Sequence, residues 1–197
     1  NFLTEDRPLA PNSALSWVRD KLEAEQHAAS FARRYPEMTV TVLRLAPLFG
    51  PGVRTFYTRI FDRRVIPVVM GYDPLFQLLH PEDALQAVEA ALVRAPKGAV
   101  NVVPRGTISL IRALHLAGKI PVPIPHPAAY AISDALWSSG VGPAPGAFVD
   151  YGRYLCVADG VKAETTMGFR ARYDSREALE AYLRYRYPMV TDEAVVA

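Results

Sequence analysis

Three side chains that can bind or donate recur every four residues along one predicted helix. Trp17, Lys21 and Glu25 have this spacing, so they would lie on one helical face. A lysine ammonium beside a weak acid lowers the pKa of that acid and supports proton transfer. The indole N–H of Trp17 is only a hydrogen-bond donor and cannot relay a proton. A second place for chemistry is the loop Pro47–Gly52, which follows a predicted strand where open α/β sheets bind ligands.

Histidine and cysteine do not form a metal or disulfide framework in this sequence. The four histidines show none of the spacings that zinc ligands adopt: His27, His80, His115 and His126. Cys156 is the single cysteine, so an intrachain disulfide is excluded and no zinc framework exists. We therefore expect no metal site.

Composition and charge describe an ordinary globular chain. Its 197 residues are 50% hydrophobic and 21% charged, which argues against pervasive disorder. The net charge is +2, from 22 basic and 20 acidic residues, and no basic run dominates, so nucleic acid is not expected as a partner. No apolar stretch approaches the roughly eighteen residues of a membrane span, and no signal-peptide pattern opens the chain. We expect a cytoplasmic protein without a membrane span.

The first half of the chain alternates helix and strand. A helix that starts at Asn12 or Ser13 and ends near Arg34 carries Lys21. Its buried stripe would consist of apolar residues at helical spacing: Leu15, Val18, Leu22, Ala29 and Ala32. The β-branched run 39–46 then predicts a strand that is buried on both faces, in a mostly parallel sheet.

Further helices and two more strands follow in the rest of the chain. A helix begins at Pro81, because proline fits the first helical position and the acids that follow it favour the positive end of the helix dipole. The helix at 128–138 is apolar on most sides, so it is either buried or lines an apolar pocket. The other predicted elements are helices at 55–63, at 107–118 and from the Asp174–Glu177 capping box to about Tyr185, strands at 65–70 and 99–103, and a proline-rich wrapping loop after Gly118.

Several motifs, in this order, resemble one family. They are Glu5–Pro11 with Trp17–Glu25, then Leu43–Gly52, Phe76–Ala84 and Asp159–Ala163. Together they resemble the C-terminal part of the extended short-chain dehydrogenases, the NAD-dependent epimerase/dehydratase family. The resemblance implies an α/β fold: the C-terminal portion of a Rossmann-like doubly wound sheet plus a smaller substrate-binding region. Within a single unit, 1–197, the sheet part would be 1–105 and the substrate region with the C-terminal helices 106–197.

The resemblance also implies that about half of a typical member is absent. The first half of the family carries a Gly-rich loop that seats the cofactor pyrophosphate at a helix N-terminus, and no Gly-x-Gly-x-x-Gly occurs here. Gly140, Gly142 and Gly146 lie in a proline-rich loop with no strand before it. The chain also begins at Asn1, without an initiator methionine. We therefore expect a fragment that lacks the Gly-rich half, and its partner would be that missing N-terminal half or a second copy.

The resemblance assigns cofactor contacts and a catalytic role to four positions. Lys21 matches the catalytic lysine of the family, which also contacts the nicotinamide ribose, and Trp17 stands where the family has its catalytic tyrosine. Pro47 and Leu48 match backbone that touches the nicotinamide.

Gln77 and His80 match the region that faces the substrate in the family, although His80 also fits the cap of the helix that follows it. The resemblance implies an NAD(P)-dependent, epimerase/dehydratase-like oxidoreductase that acts on a nucleotide-sugar or on an apolar alcohol or ketone, with NAD or NADP as cofactor. Because Trp17 replaces the tyrosine and the Gly-rich loop is absent, we expect this chain alone to be inactive and to bind the cofactor weakly or not at all. The alternative is a non-catalytic protein that senses a dinucleotide or binds a partner.

Overall fold

The structure, a computed structural model, describes residues 2–8, 15–140, 145–153 and 157–188. Helices and strands alternate along most of this length. The helices are α1 (Ser16–Arg34), α2 (Phe56–Ile60), α3 (Pro81–Arg94), α4 (Leu110–Leu116), α5 (His126–Ser138), α6 (Val161–Met167) and α7 (Ser175–Arg186), with a 3₁₀ helix at Gly146–Gly152. The strands are β1 (Thr41–Leu45), β2 (Val65–Val69), β3 (Leu75–Phe76), β4 (Gly98–Val102), β5 (Ile108–Ser109) and β6 (Ile120–Ile124).

Strands β1 and β4 form a parallel pair, with α3 in the connection between them. Leu43 pairs with Val100 in this register. Helix α3 packs on β1, and α6 packs on both α3 and β4. A first core lies between these elements, and its buried members include Leu79, Ala87 and Met167. The parallel α/β arrangement expected from the sequence is confirmed.

A second core joins α2, α4 and α7 to the loop that follows β1. The rings of Phe49, Phe61 and Tyr182 meet edge to face, with centre-to-centre distances of 5.6 Å from Phe49 to Phe61 and 5.4 Å from Phe49 to Tyr182. Leu114 from α4 and Leu179 from α7 complete its buried centre. Because Phe49 belongs to this core, the loop after β1 is held against the rest of the fold.

The prediction of a wrapping loop after Gly118 is wrong in part, because the chain there forms β6, which is parallel to β2. Its sequence is Ile-Pro-Val-Pro-Ile, so prolines alternate with residues that can donate a backbone N–H. The N–H of Ile120 donates to the carbonyl of Arg64. Pro121 and Pro123 occupy the alternate positions of β6, where the backbone nitrogen is directed away from β2. An edge strand tolerates proline at those positions, because no ladder hydrogen bond is lost there.

The environment expected for α1 and β1 is wrong in part. Asn12 and Ser13, the expected caps, lie outside the described residues. The expected stripe of α1 is only half-buried, because no residue inside the observed helix is fully buried. Its members differ: Leu15, just before the helix, is buried, Val18, Leu22 and Ala32 are half-buried, and Ala29 is exposed. Strand β1 is half-buried rather than buried on both faces, and Leu45 is 42% exposed. The physical reason is pairing on one side only, because among the described strands β1 pairs with β4 alone.

The remaining helices lie close to their expected positions. Helix α3 begins at Pro81 with His80 as its N-cap, and α7 begins after the expected capping box of Asp174 and Glu177. The helix expected at 55–63 is present but shorter, because α2 ends at Ile60. The helix expected at 107–118 is shorter, because Ile108 and Ser109 pair with β3 before α4 begins.

Candidate functional site

The loop after β1 lies directly beside the segment that precedes α3. The N–H of Leu79 donates to the carbonyl of Pro47 at 2.8 Å, and the N–H of Phe49 donates to the carbonyl of Leu79 at 2.9 Å. Glycine is required at position 50, because a Cβ there would overlap the ring of Pro81 and lie 3.1 Å from Cδ2 of His80. The structure therefore brings the predicted cofactor contacts, Pro47 and Leu48, next to the predicted substrate segment.

His80 is buried at the start of α3 and acts as its N-cap. Its Nδ1 accepts the N–H of Glu82 at 3.3 Å, and its ring centre lies 4.0 Å from that of Tyr173. The hydroxyl of Tyr173 donates to the Glu82 carboxylate at 3.1 Å, and this hydrogen bond raises the pKa of Tyr173. His80 thus has a structural role at the helix N-terminus, and its contact with substrate stays a prediction.

Gln77 is buried, and its amide is paired in both directions with the backbone of one residue. Its Nε2 donates to the carbonyl of Ala158 at 3.0 Å, and its Oε1 accepts the N–H of Ala158 at 2.8 Å. The side chain also lines a cleft of about 400 Å³ together with Val103 and Gly160. A Cβ at Gly160 would lie 2.9 Å from Cγ2 of Val103, so this wall of the cleft needs glycine. These contacts fix Gln77 as a clamp between two chain segments.

Lys21 and Trp17 meet on the exposed face of α1. The Nζ of Lys21 lies 5.6 Å from the centre of the Trp17 ring, and the indole residue is 37% exposed. The four-residue spacing therefore places the two side chains together, as expected from the sequence. Their contact is a cation–π interaction, since the face of an indole ring attracts a nearby ammonium group.

An ion pair ties α1 to the sheet. Nε of Arg44 on β1 lies 3.1 Å from Oε2 of Glu25, and both side chains are largely shielded from solvent. The same guanidinium donates to the backbone carbonyl of Glu5 at 3.3 Å, while the Glu5 carboxylate accepts the N–H of Asn101 on β4 at 2.8 Å. Sequence reasoning missed this network, although opposite charges on a helix and on the strand that follows it are the signal that points to it. The network aligns α1, and with it Lys21, against β1 and β4.

An apolar cavity of about 420 Å³ lies between α2, β2, β3 and α5. Its lining includes Phe56, Val68, Phe76, Ile132 and Leu136. The sequence left two possibilities for α5, and the structure decides between them: no residue of α5 is buried, and its apolar face lines this cavity. The aromatic residues of α2 and β3 that line it were not predicted as functional, because phenylalanine in short elements is indistinguishable from core.

A polar network holds α5 to the 3₁₀ helix. The hydroxyl of Tyr130 donates to Asp150, and NH1 of Arg153 lies 3.1 Å from that hydroxyl. NH2 of Arg153 donates to the hydroxyl of Tyr72 at 3.1 Å. The hydrogen bond to Asp150 raises the pKa of Tyr130, and burial raises it further. Tyr130 therefore keeps its proton over the neutral range and acts as a strut for α5.

The described residues contain neither a metal-ligand cluster nor a membrane-spanning helix. No group of three or more His, Cys, Asp and Glu side chains there is arranged to hold a metal ion. None of the helices described is both long and apolar enough to cross a bilayer.

Similar chains occur among curated proteins and solved structures, whereas no model of a known protein family matches. Uncharacterised proteins of Mycobacterium tuberculosis and Mycobacterium bovis are 31% identical to this chain over 188 residues. The match covers 94% of this chain and 49% of each relative, so the chain spans about half the length of the curated relatives it matches.

Solved structures with similar backbones include three proteins that hold NAD. MoeE5 in complex with UDP-glucuronic acid and NAD is 23% identical with a TM-score of 0.65, and the match covers 94% of this chain and 59% of MoeE5. UDP-glucuronic acid 4-epimerase from Bacillus cereus is 15% identical with a TM-score of 0.65, and the match covers 94% of this chain and 56% of the epimerase. The dTDP-glucose 4,6-dehydratase from Streptomyces venezuelae is 17% identical with a TM-score of 0.68, and the match covers 96% of this chain and 55% of the dehydratase. The chain has part of the Rossmann-like fold of these enzymes. The fold expected from the sequence motifs is thereby confirmed.

Proposed function

We propose that this chain forms part of an NAD(P)-dependent oxidoreductase of the epimerase/dehydratase type, in which hydride passes to or from a nicotinamide. The observation that carries the proposal is the coverage of 94–96% of the chain by enzyme structures that hold NAD. In this proposal Lys21, Pro47 and Leu48 contact the cofactor. The Gly-rich phosphate loop comes from outside this chain, because no Gly-x-Gly-x-x-Gly occurs in it.

Trp17 limits the chemistry that this chain can contribute. In the family pattern a tyrosine at this position transfers the proton, and the lysine four residues later lowers its pKa. The indole beside Lys21 keeps the cation in place but has no proton to exchange near neutral pH. This observation favours a second candidate, a non-catalytic protein that binds a dinucleotide or a partner.

The partner in this proposal is the remaining part of a longer protein. The curated relatives are about twice as long as the matched region, and β1 and α1 leave apolar side chains exposed, among them Leu45, Trp17 and Phe31. A further segment that pairs with β1 and covers α1 would bury these residues, since unpaired strand edges and apolar patches recruit other chains.

Two measurements test the proposal. Calorimetry should show no low-micromolar binding of NAD or NADP to the 197-residue chain alone.

The second measurement uses the longer protein that supplies the Gly-rich loop. There Trp17→Tyr should raise dehydrogenase activity and Lys21→Ala should lower it. Arg19→Ala, on the opposite face of α1, is the matched control and should leave the activity unchanged. Unchanged activity in Lys21→Ala with the cofactor still bound would refute the role of α1. Cofactor binding with no activity in Trp17→Tyr would support the non-catalytic alternative.

A further inference from the structure

The inner wall of the apolar cavity belongs to the folded core. Ile66 and Val68 of β2 are buried core residues, and Phe76 and Leu110 pack against the same core. All four line the cavity. Since core side chains are closely packed and shift little, this wall has a fixed shape.

The outer wall is α5, and polar contacts on its adjacent face hold it in place. The carboxylate of Asp134 accepts the N–H of Gly146 at 2.7 Å, and a Cβ at Gly146 would lie within 3 Å of that carboxylate. Tyr130, one turn earlier, bonds to Asp150. The apolar residues Ile132 and Leu136, which face the cavity, stay 46% and 39% exposed. The helix is thus anchored at a distance that leaves the cavity open.

The lining has few groups that could bind a sugar or a nucleobase. Among the described residues that line it, the charged ones are Arg59 and Arg63, both exposed, and the hydroxyls are those of Tyr57 and Ser133. The described lining includes no carboxylate and no carboxamide, which sugar hydroxyls commonly need as acceptors. Burying hydroxyls without partners is costly, so the lining disfavours the sugar part of a nucleotide-sugar. A volume of about 420 Å³ falls in the ordinary range for small-molecule sites.

We propose that this cavity binds the apolar body of an alcohol or ketone, whose rings or alkyl chain lie against Phe56, Phe76 and Leu136. As the substrate of the redox chemistry, this ligand rests on the proposed function above. Binding itself needs neither cofactor nor turnover, so the two claims can fail separately. The sequence left two substrate classes open, a nucleotide-sugar and an apolar alcohol or ketone. The lining of the cavity favours the second.

The test is a displacement titration on the full 197-residue chain, with Nile red as the cavity probe and hexanol, octanol and decanol as competitors. Transfer of an alkyl chain into the cavity should lower the dissociation constant about fourfold for each added CH₂. UDP-glucose should not displace the probe. Displacement by UDP-glucose, or alcohol binding that does not depend on chain length, would overturn the proposal.

Matched variants locate the binding. Leu136→Arg places a cation in the cavity and should weaken decanol binding at least about tenfold, because the apolar chain would then meet an unpaired charge. Leu92→Arg makes the same change on the exposed face of α3, outside the cavity, and should leave binding unchanged. Equal losses in the two variants would overturn the assignment. If circular dichroism shows that Leu136→Arg is misfolded, Ala129→Leu takes its place, because it narrows the cavity from the same helix face. Unchanged decanol binding in Ala129→Leu would overturn the proposal.

Discussion

Asp83 is the carboxylate on which the position of the segment after α6 depends. It is fully buried in the first turn of α3. Its Oδ1 accepts the N–H of Arg172 at 2.9 Å, and its Oδ2 accepts the N–H of Tyr173 at 3.1 Å. Tyr173 in turn stacks on His80. The sequence predicted Asp83 only as a favourable charge at the helix N-terminus, whereas the structure shows that it clamps α3 to the chain that leads into α7.

The substitution Asp83→Asn tests this clamp with almost no change in volume. A hydrogen bond to a charged group contributes about 1.5–3 kcal/mol, and Asp83 makes two of them. Asparagine keeps one neutral acceptor and turns its NH₂ group toward the second backbone N–H, so one bond is weakened and the other is lost. We expect the free energy of unfolding to fall by about 3 kcal/mol. For a chain of this size that loss corresponds to a Tm about 6–12 °C lower.

Urea unfolding followed by circular dichroism measures the loss, and Asp159→Asn is the matched control. The carboxylate of Asp159 accepts the N–H of Val161 at 2.7 Å at an exposed position, where water can replace the lost acceptor. We expect the control to lose less than about 1 kcal/mol. If Asp83→Asn loses less than about 1 kcal/mol, or no more than the control, the reasoning about the buried clamp is refuted.

Two further predictions concern the second core and the exposed surface. Burial raises the pKa of Tyr182 above its ordinary value of about 10, so the stability that this residue contributes is present below pH 10 and is lost as the pH rises toward the folded-state pKa. The free energy of unfolding, measured by urea titration at several pH values, should therefore fall above pH 10 with a slope of up to about 1.4 kcal/mol per pH unit. Tyr182→Phe should reduce that slope. Because the exposed apolar face of α1 should recruit a second chain, light scattering on the chain alone should give a mass above 21.7 kDa, and Phe31→Lys should lower that mass. A stable 21.7 kDa species at the highest soluble concentration would contradict the role proposed for this face.

Local signals in the sequence were enough to predict most helices, while the surroundings of these elements were not predictable. Proline at the first position of α3 and the capping box of α7 act within four residues, so their effects can be read directly. The burial of β1 depends instead on which strands lie beside it. The apolar residues of β1 predict a strand buried on both faces, and the family fold implies neighbours on both sides, whereas the described chain supplies a partner on one side. Strand β6 was missed because its two prolines signal a loop unless the strand is known to be at an edge.

The site shows the same division between local and long-range information. Helical spacing was enough to place Lys21 beside Trp17, and the motif around His80 was enough to place that residue at a helix start. The cavity could not be predicted, because its walls combine elements between α2 and the 3₁₀ helix that are distant in sequence. Phe56 and Leu136, for example, are 80 positions apart yet line the same space.

The segment around β3 shows why a motif can identify a region without identifying its ligand-facing residue. Successive side chains of an extended segment point to opposite sides. Phe76 lines the apolar cavity, while the next residue, Gln77, lines the separate cleft and pairs with the backbone of Ala158. If the cavity holds the substrate, the specificity of this segment lies with Phe76. Gln77 then acts indirectly, because the contact that it makes with Ala158 holds the segment in the register that points Phe76 into the cavity.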